Sequence, residues 1–285
     1  MAKQEEHWSS EAYQTSAGFV PKLATKVIGW LDVKEDDLIL DVGCGDGIIN
    51  IQIAQTLAKG SGKIHGIDAS HAMIESARKS AAADPAATKA ATFDVIDATK
   101  ILSSLDLQRE SYDKVFSNAA MHWILRHEAT RKDFFLGIRG ALKPGGMFVF
   151  EMGGMGNVAE MRTALLSVIS GRIGISAARA ADPWFFPDET WMTKMLEETV
   201  GGFKVERIER EYRPTAADVG GIEGWVRLMG KQFFDAVSDE GERASCVKEV
   251  VEVLETVCRS PGGGDWIGYV RLRAVVTKIK QIRQE

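Results

Sequence analysis

Apolar and polar positions along this chain follow two periods, and their order predicts the architecture. Leu38–Val42 is an apolar run broken only by Asp41 and reads as a short buried strand. Gly43, Gly45 and Gly47 turn out of it, and Ile48–Lys59 has a helical pattern. Lys63–Asp68 reads as a second strand ending in an acid. Ser70 then suits a helix N-cap, with Met73, Ile74 and Ala77 on one helical face. Upstream, Glu11–Leu31 carries a helical stripe of Phe19, Leu23, Val27 and Trp30, with Pro21 marking a break or a first turn. Alternation of strands and helices from 37 to 152 predicts right-handed βαβ units and a parallel sheet.

After Met152 the character changes. Gly153–Gly156 reads as a loop, Val158–Ile169 as a helix and Asp182–Pro187 as an aromatic loop. Thr190–Thr199 is helical, and Phe203–Ile208 alternates like a strand. Residues 222–237 and 242–258 read as helices, Pro261–Gly264 breaks the chain, and Tyr269–Ile279 alternates as a last strand. Ala81–Ala91, around Asp84-Pro85, reads as an alanine-rich linker.

The stretch Asp41-Val42-Gly43-Cys44-Gly45-Asp46-Gly47 is where chemistry enters. A strand turning on glycines into a helix lets a ligand approach bare backbone. The spacing is not G-x-G-x-x-G, because the third glycine comes one residue early and Ile stands at 48. Asp41 and Asp46 place two negative charges where a pyrophosphate would otherwise sit. They favour a ligand with a cationic portion, such as S-adenosylmethionine (SAM). Asp68 follows about twenty residues after the turn, the spacing at which doubly wound folds place a carboxylate for ribose hydroxyls.

These residues, together with Gly66-Ile67-Asp68-Ala69-Ser70-His71-Ala72-Met73, resemble the class I SAM-dependent methyltransferases. Further features resemble that family in the same order. Phe93–Ala98 resembles its third strand and adenine-binding acid, Tyr112–Asn118 its fourth strand, and Leu142–Phe150 its fifth. The resemblance spans residues 35–152. It implies an α/β fold with a Rossmann-like doubly wound sheet, mostly parallel with an antiparallel edge strand, plus helical lid insertions. The expected organisation is one composite domain: an N-terminal helical cap at 1–36, a SAM-binding core at 37–152, a helical lid at 153–202, an edge strand at 203–214, a second helical lid at 215–264 and a final antiparallel strand at 265–285.

By the same resemblance, the cofactor SAM is expected against Asp41, Gly43, Cys44, Gly45, Gly47, Asp68, Ala69, Met73, Asp97, Ala98 and Asn118, with Tyr13 closing over it. Cys44 occupies the turn as a small packing residue. Asn118-Ala119-Ala120-Met121-His122-Trp123 leaves the fourth strand and resembles small-molecule carboxyl methyltransferases of the trans-aconitate, juvenile-hormone-acid and malonyl-carrier-protein types. The resemblance implies that Trp123 and Gln14 hold a substrate carboxylate, since both side chains carry N–H donors. His122 is either a general base near the methyl group or a packing histidine under the lid; His127 belongs to the surface. Trp184 and Trp225, with Phe185, Phe186 and Trp191, are either an apolar substrate pocket or core.

Charge and composition narrow the partner. The 285 residues carry a formal net charge of −5 and are 45% hydrophobic. No Lys/Arg block stands out, and no Asn-Pro-Pro-Tyr-like run follows the fourth strand, so a nucleic-acid substrate is not expected. No apolar run reaches the length of a membrane span, and the polar N-terminus lacks a signal-peptide core. Three widely spaced cysteines, Cys44, Cys246 and Cys258, fit reduced thiols in a cytoplasmic protein and argue against zinc. The expected activity is methyl transfer to a small-molecule oxygen, carboxylate or hydroxyl. The alternative is a methyltransferase-like protein that binds SAM and catalyses a cyclisation, or binds it without catalysis.

Overall fold

The computed structural model describes residues 24–280. Its strands are β1 (Leu38–Val42), β2 (Lys63–Asp68), β3 (Ala91–Val95), β4 (Tyr112–Asn118), β5 (Leu142–Gly153), β6 (Phe203–Ala216) and β7 (Trp266–Lys278). Its helices are α1 (Thr25–Leu31), α2 (Ile48–Leu57), α3 (His71–Ala82), α4 (Pro85–Ala90), α5 (Met121–Ile124), α6 (Glu128–Ala141), α7 (Ala159–Ile173), α8 (Ile175–Ala181), α9 (Glu189–Lys194), α10 (Gly221–Met229), α11 (Lys231–Asp235) and α12 (Glu240–Cys258). The strands form one sheet in the order β3-β2-β1-β4-β5-β7-β6. The first five run parallel. The expected antiparallel pair closes one edge: β7 runs against both β5 and β6, lies between them, and leaves β6 outermost. Strand order reverses between β1 and β4, and a crevice opens at the carboxyl ends of strands at such a reversal.

Alternation along the strands sorts side chains onto two faces. Ile39, Phe116 and Val149 pack with α1, α2, α3 and α4. Leu40, Val42, Val115, Phe148 and Phe150 pack with α6 and α9 on the other face. A third apolar cluster joins α7, α8, α10, α11 and α12 to Ile267 and Tyr269 of β7, with Trp184 and Trp225 inside it. No helix among the described residues is long and apolar enough to cross a membrane.

Several expected boundaries move. The linker at 81–91 contains α4, with Pro85 in its first turn and Asp84 accepting the Ala87 N–H at 2.9 Å. Gly153 ends β5 rather than opening a loop. Strand β6 runs past Ile208 to Ala216 because β7 pairs with it as far as Trp266. The helix expected at 222–237 divides at Gly230 into α10 and α11. The first helix is seen from Thr25, with Val27 buried and Trp30 half-buried. Tyr13, Gln14, Phe19, Pro21 and Leu23 lie outside the described residues.

Near the carboxyl end of β5 a buried ionic cluster adds to the backbone ladder and apolar packing that join β5 to the antiparallel pair. Glu151 is buried and accepts from Arg271 Nε at 2.9 Å through one oxygen and from Arg273 Nε through the other. Arg273 reaches on to Glu209 at 3.2 Å and to Glu211 on β6. Burial pushes the Glu151 carboxyl up, but the charges of Arg271, Arg273 and Arg213, the last at 3.6 Å, outweigh it and hold the group below its ordinary range. A buried charge of this kind is tolerated because every carboxylate oxygen is paired.

Candidate active site

The glycine turn is built by backbone constraint. Gly43, Gly45 and Gly47 have φ of 77°, 56° and 75°, a region that other L-residues rarely enter. The Gly43 and Cys44 N–H groups donate to Ile67 O at 2.8 and 3.0 Å, docking the turn on the end of β2. A Cβ on Gly43 would stand 2.2 Å from the Ala120 Cβ, so the turn and the post-β4 segment touch through bare backbone. A Cβ on Gly45 would meet nothing within 4 Å, because Gly45 faces a cavity.

Asp68 holds that turn in place. One carboxylate oxygen accepts the Gly45 N–H at 3.0 Å and the other the Ser70 N–H at 2.9 Å. Ser70 caps α3 by accepting the Met73 N–H at 3.2 Å, as its sequence position predicts. The cavity has a volume of about 280 Å³ and lies at the reversal between β1 and β4. Of the residues expected at the cofactor, Gly43, Gly45, Asp68, Ala69, Met73, Asp97, Ala98 and Asn118 line it. Trp123, expected at the substrate, lines it as well. Asp41, Cys44 and Gly47 are not on its wall; they shape the turn from behind.

Ile96, Thr99, Ala119, Ala120 and Ile124 also line the cavity and were not singled out from the sequence. Each lies within two positions of a residue that was, in the segments that follow β3 and β4, and that adjacency was the available signal. Ala119 adopts φ 58°, and its N–H donates to Glu151 O at 2.8 Å. This strained turn aims α5 back over the cavity.

The electrostatics favour acceptors over donors. Among the described residues, the lining includes Asp68, Asp97 and the Asn118 carbonyl but no Lys or Arg. The Asn118 Oδ1 is buried and has no hydrogen-bond partner there. Burial and the neighbouring Asp68 carboxylate push Asp41 up to about 8. Burial likewise raises Asp68 above the usual carboxylate range. Asp97 goes the other way: burial opposes, but hydrogen bonds from Thr99 and Lys100 outweigh it and lower its pKa. Cys44 is pushed well up, by burial first, and stays a thiol. A ligand bearing a cation, a vicinal diol and an exocyclic amine fits such a set of acceptors; a pyrophosphate does not.

The remaining expected site residues fall elsewhere. His122 is 8% exposed and lies off the cavity wall, its ring 5.5 Å from Trp123 and 5.7 Å from Phe186. Its Nδ1 accepts the Gly153 N–H at 3.4 Å. Burial and the charge on Arg271 drive its pKa well below the ordinary histidine value, so the ring is neutral. Trp184 and Trp225 sit in the helical cluster, 6.0 Å apart, and the Trp225 indole N–H donates to the Tyr269 hydroxyl at 2.7 Å. Both are core residues there. His127 is exposed, just before α6.

Comparison with known proteins decides the family. A model described as a methyltransferase domain matches residues 34–179. An uncharacterized methyltransferase of Schizosaccharomyces pombe is 34% identical over 281 residues, covering 96% of this chain and 99% of its own. The chain belongs to the SAM-dependent methyltransferase family.

Other curated relatives of this methyltransferase match about half of the chain. A malonyl-[acyl-carrier protein] O-methyltransferase of Ilyobacter polytropus is 31% identical over 138 residues, 48% of this chain and 47% of its own. Among solved structures, a phosphoethanolamine N-methyltransferase of Haemonchus contortus matches with a TM-score of 0.56 at 19% identity. That match covers 97% of this chain and 59% of the nematode protein, and it shows a common fold. The family's cofactor is SAM, and the acceptor-lined cavity fits it. Asp68 and Asp97 would hold the nucleoside, and Asn118 the amino-acid portion. The cofactor supplies an activated methyl group on a sulfonium. The protein's own part is to orient an acceptor in line and exclude water.

Proposed function

We propose that this methyltransferase transfers the methyl group to an oxygen of a small acidic metabolite, a carboxylate in preference to a hydroxyl. The observation that carries this reading is that, among the described residues, no uncommitted base faces the cavity: Asp68 already accepts from the Gly45 and Ser70 N–H groups, and Asp97 from Thr99 and Lys100. Among the described residues, the cavity wall offers no His, Lys, Tyr or Cys. His122 is neutral, and its Nδ1 lone pair is already occupied by the Gly153 N–H. A hydroxyl acceptor needs its proton removed; a carboxylate arrives without one. Trp123 on the wall beside Asn118 supports the same reading as an indole surface against which an acid could be positioned.

The helices of residues 159–200 and 221–258 act in this proposal as a lid over the acceptor. The test is incubation with SAM and a panel of small carboxylic acids, phenols and alcohols, followed by mass spectrometry. Methyl esters of at least one acid are expected. Ethers from phenols or alcohols, with no ester from any acid, would contradict the carboxylate reading. Cofactor uptake without S-adenosylhomocysteine (SAH) release on any acceptor would favour the non-transferring alternative.

A further inference from the structure

Two buried donors lie around the end of β5, just beyond the cavity wall. We propose that His122 and Arg271 form an anion-binding subsite, in which the His122 Nε2–H and the terminal nitrogens of Arg271 donate to one carboxylate of the acceptor. The inference rests on the proposed carboxylate reading and assigns the residues that would recognise the acid.

Register and contact bring the two together. Gly153 is directly opposite Arg271 in the antiparallel ladder, where facing Cα atoms lie about 5 Å apart. Gly153 also donates its N–H to His122 Nδ1. A Cβ on Gly153 would stand 2.6 Å from Phe186 Cε1, so Phe186 covers the sheet face onto which Arg271 projects. The His122 ring packs against Phe186 on that side. Arg271 is close enough for its charge to depress the histidine. The row one step inward is Asn118, Glu151 and Arg273, and Asn118 is on the cofactor cavity. The subsite therefore begins about one register step from the cavity.

Both groups hold unused donors. A neutral imidazole that accepts at Nδ1 carries its proton on Nε2. Among the described residues nothing accepts from that nitrogen, although His122 is 8% exposed. Arg271 is 4% exposed and makes one side-chain hydrogen bond there, Nε to Glu151. The remaining four guanidinium N–H donors keep their capacity. Neither the His122 Nε2 nor the Arg271 terminal nitrogens are among the fully enclosed polar atoms that lack a partner, so these donors keep an accessible edge at which a ligand can meet them. A guanidinium edge beside a neutral N–H suits a planar carboxylate, which takes charge-assisted hydrogen bonds from both. The bland reading is a structural ion pair with Glu151 and a packing histidine. It explains Arg271 Nε and His122 Nδ1 but leaves the other donors unused.

Calorimetry on SAH-saturated protein separates the two. The probes are octanoate, succinate and trans-aconitate, each beside its uncharged amide. At least one acid should bind, with its amide about tenfold weaker or worse. Arg271→Gln and His122→Leu should each weaken that acid by about 10- to 100-fold, the range for a hydrogen bond to a charged group. His122→Gln, which returns a donor near the Nε2 position, should recover most of the loss. SAH affinity should stay within about twofold in all variants, since neither residue is on the cavity wall. Equal binding of acid and amide to the wild type, or unchanged acid affinity in both donor-deleting variants, would overturn the subsite. So would a wild type that takes up SAH but none of the acids. If the substituted chains do not fold, the acid-against-amide comparison on the wild type still decides. Acid binding without methyl ester formation would instead overturn the proposed reaction and leave the subsite standing.

Discussion

The cofactor half and the helical half of this methyltransferase position their residues by different means. From β1 to β5, placement is a matter of backbone. Glycines at positive φ, strand ends and a carboxylate accepting two N–H groups put Gly45, Asp68, Asp97 and Asn118 around one cavity. Beyond Gly153, side chains position one another. Trp184 touches Trp123, Phe186, Trp225 and Phe233 at ring distances of 5.6 to 6.0 Å, and no glycine turn dictates where it sits. The difference teaches which half should fail by losing ligand and which by losing structure.

Substitutions can break that contrast, and the largest effect is expected at the seam. Glu151→Ala leaves Arg271 and Arg273 buried without their shared partner. It should cost about 3–5 kcal/mol, a fall of roughly 10 °C in melting temperature. A change under about 2 °C would mean that the ionic cluster adds little to the pairing of β7 with β5. Trp184→Ala should cost nearly as much, about 3–5 kcal/mol by cavity formation, while SAH affinity measured by calorimetry stays unchanged. A loss of SAH affinity to match would dissolve the contrast. Trp225→Phe removes the donor to Tyr269 and should cost about 1–2 kcal/mol, read as a melting shift of a few degrees.

The cofactor half offers a pH slope as a further test. Asp41 is raised in the folded chain to about 8 against an ordinary value near 3.8. The folded state therefore holds a proton that the unfolded chain has released. Its contribution to stability is complete below the ordinary value and is lost as pH rises towards 8. Asp41→Asn should flatten that decline, so melting curves of wild type and variant diverge between about pH 4 and pH 8, with the variant gaining as pH rises. Parallel curves would show that Asp41 does not carry the proton.

The same contrast explains what could be read from the sequence. Gly43, Gly45, Asp68 and Asn118 were legible because a turn or a strand end admits few residue types, and each type carries its reason. The last two strands were legible from alternation at Phe203 and Tyr269, and their antiparallel pairing at one edge was what the family resemblance implied. Short helix α4 was missed although Asp84 and Pro85 are an ordinary helix start; the alanines around them hid it. Trp184 and Trp225 could not be divided between pocket and core, because an aromatic run has the same pattern in both. Only long-range packing against α10, α12 and β7 separates them. His122 shows the same limit: adjacency to Trp123 is visible in the sequence, but the bond from Gly153, thirty-one residues away, is not.

Calorimetric titration of SAH into the wild type and Asp68→Ala tests the central claim most directly. The wild type should bind. The variant, having lost the carboxylate that braces Gly45 and faces the cavity, should bind about 100-fold more weakly while melting within a few degrees of the wild type. Equal affinity in the two proteins would contradict the claim that this cavity holds the nucleoside.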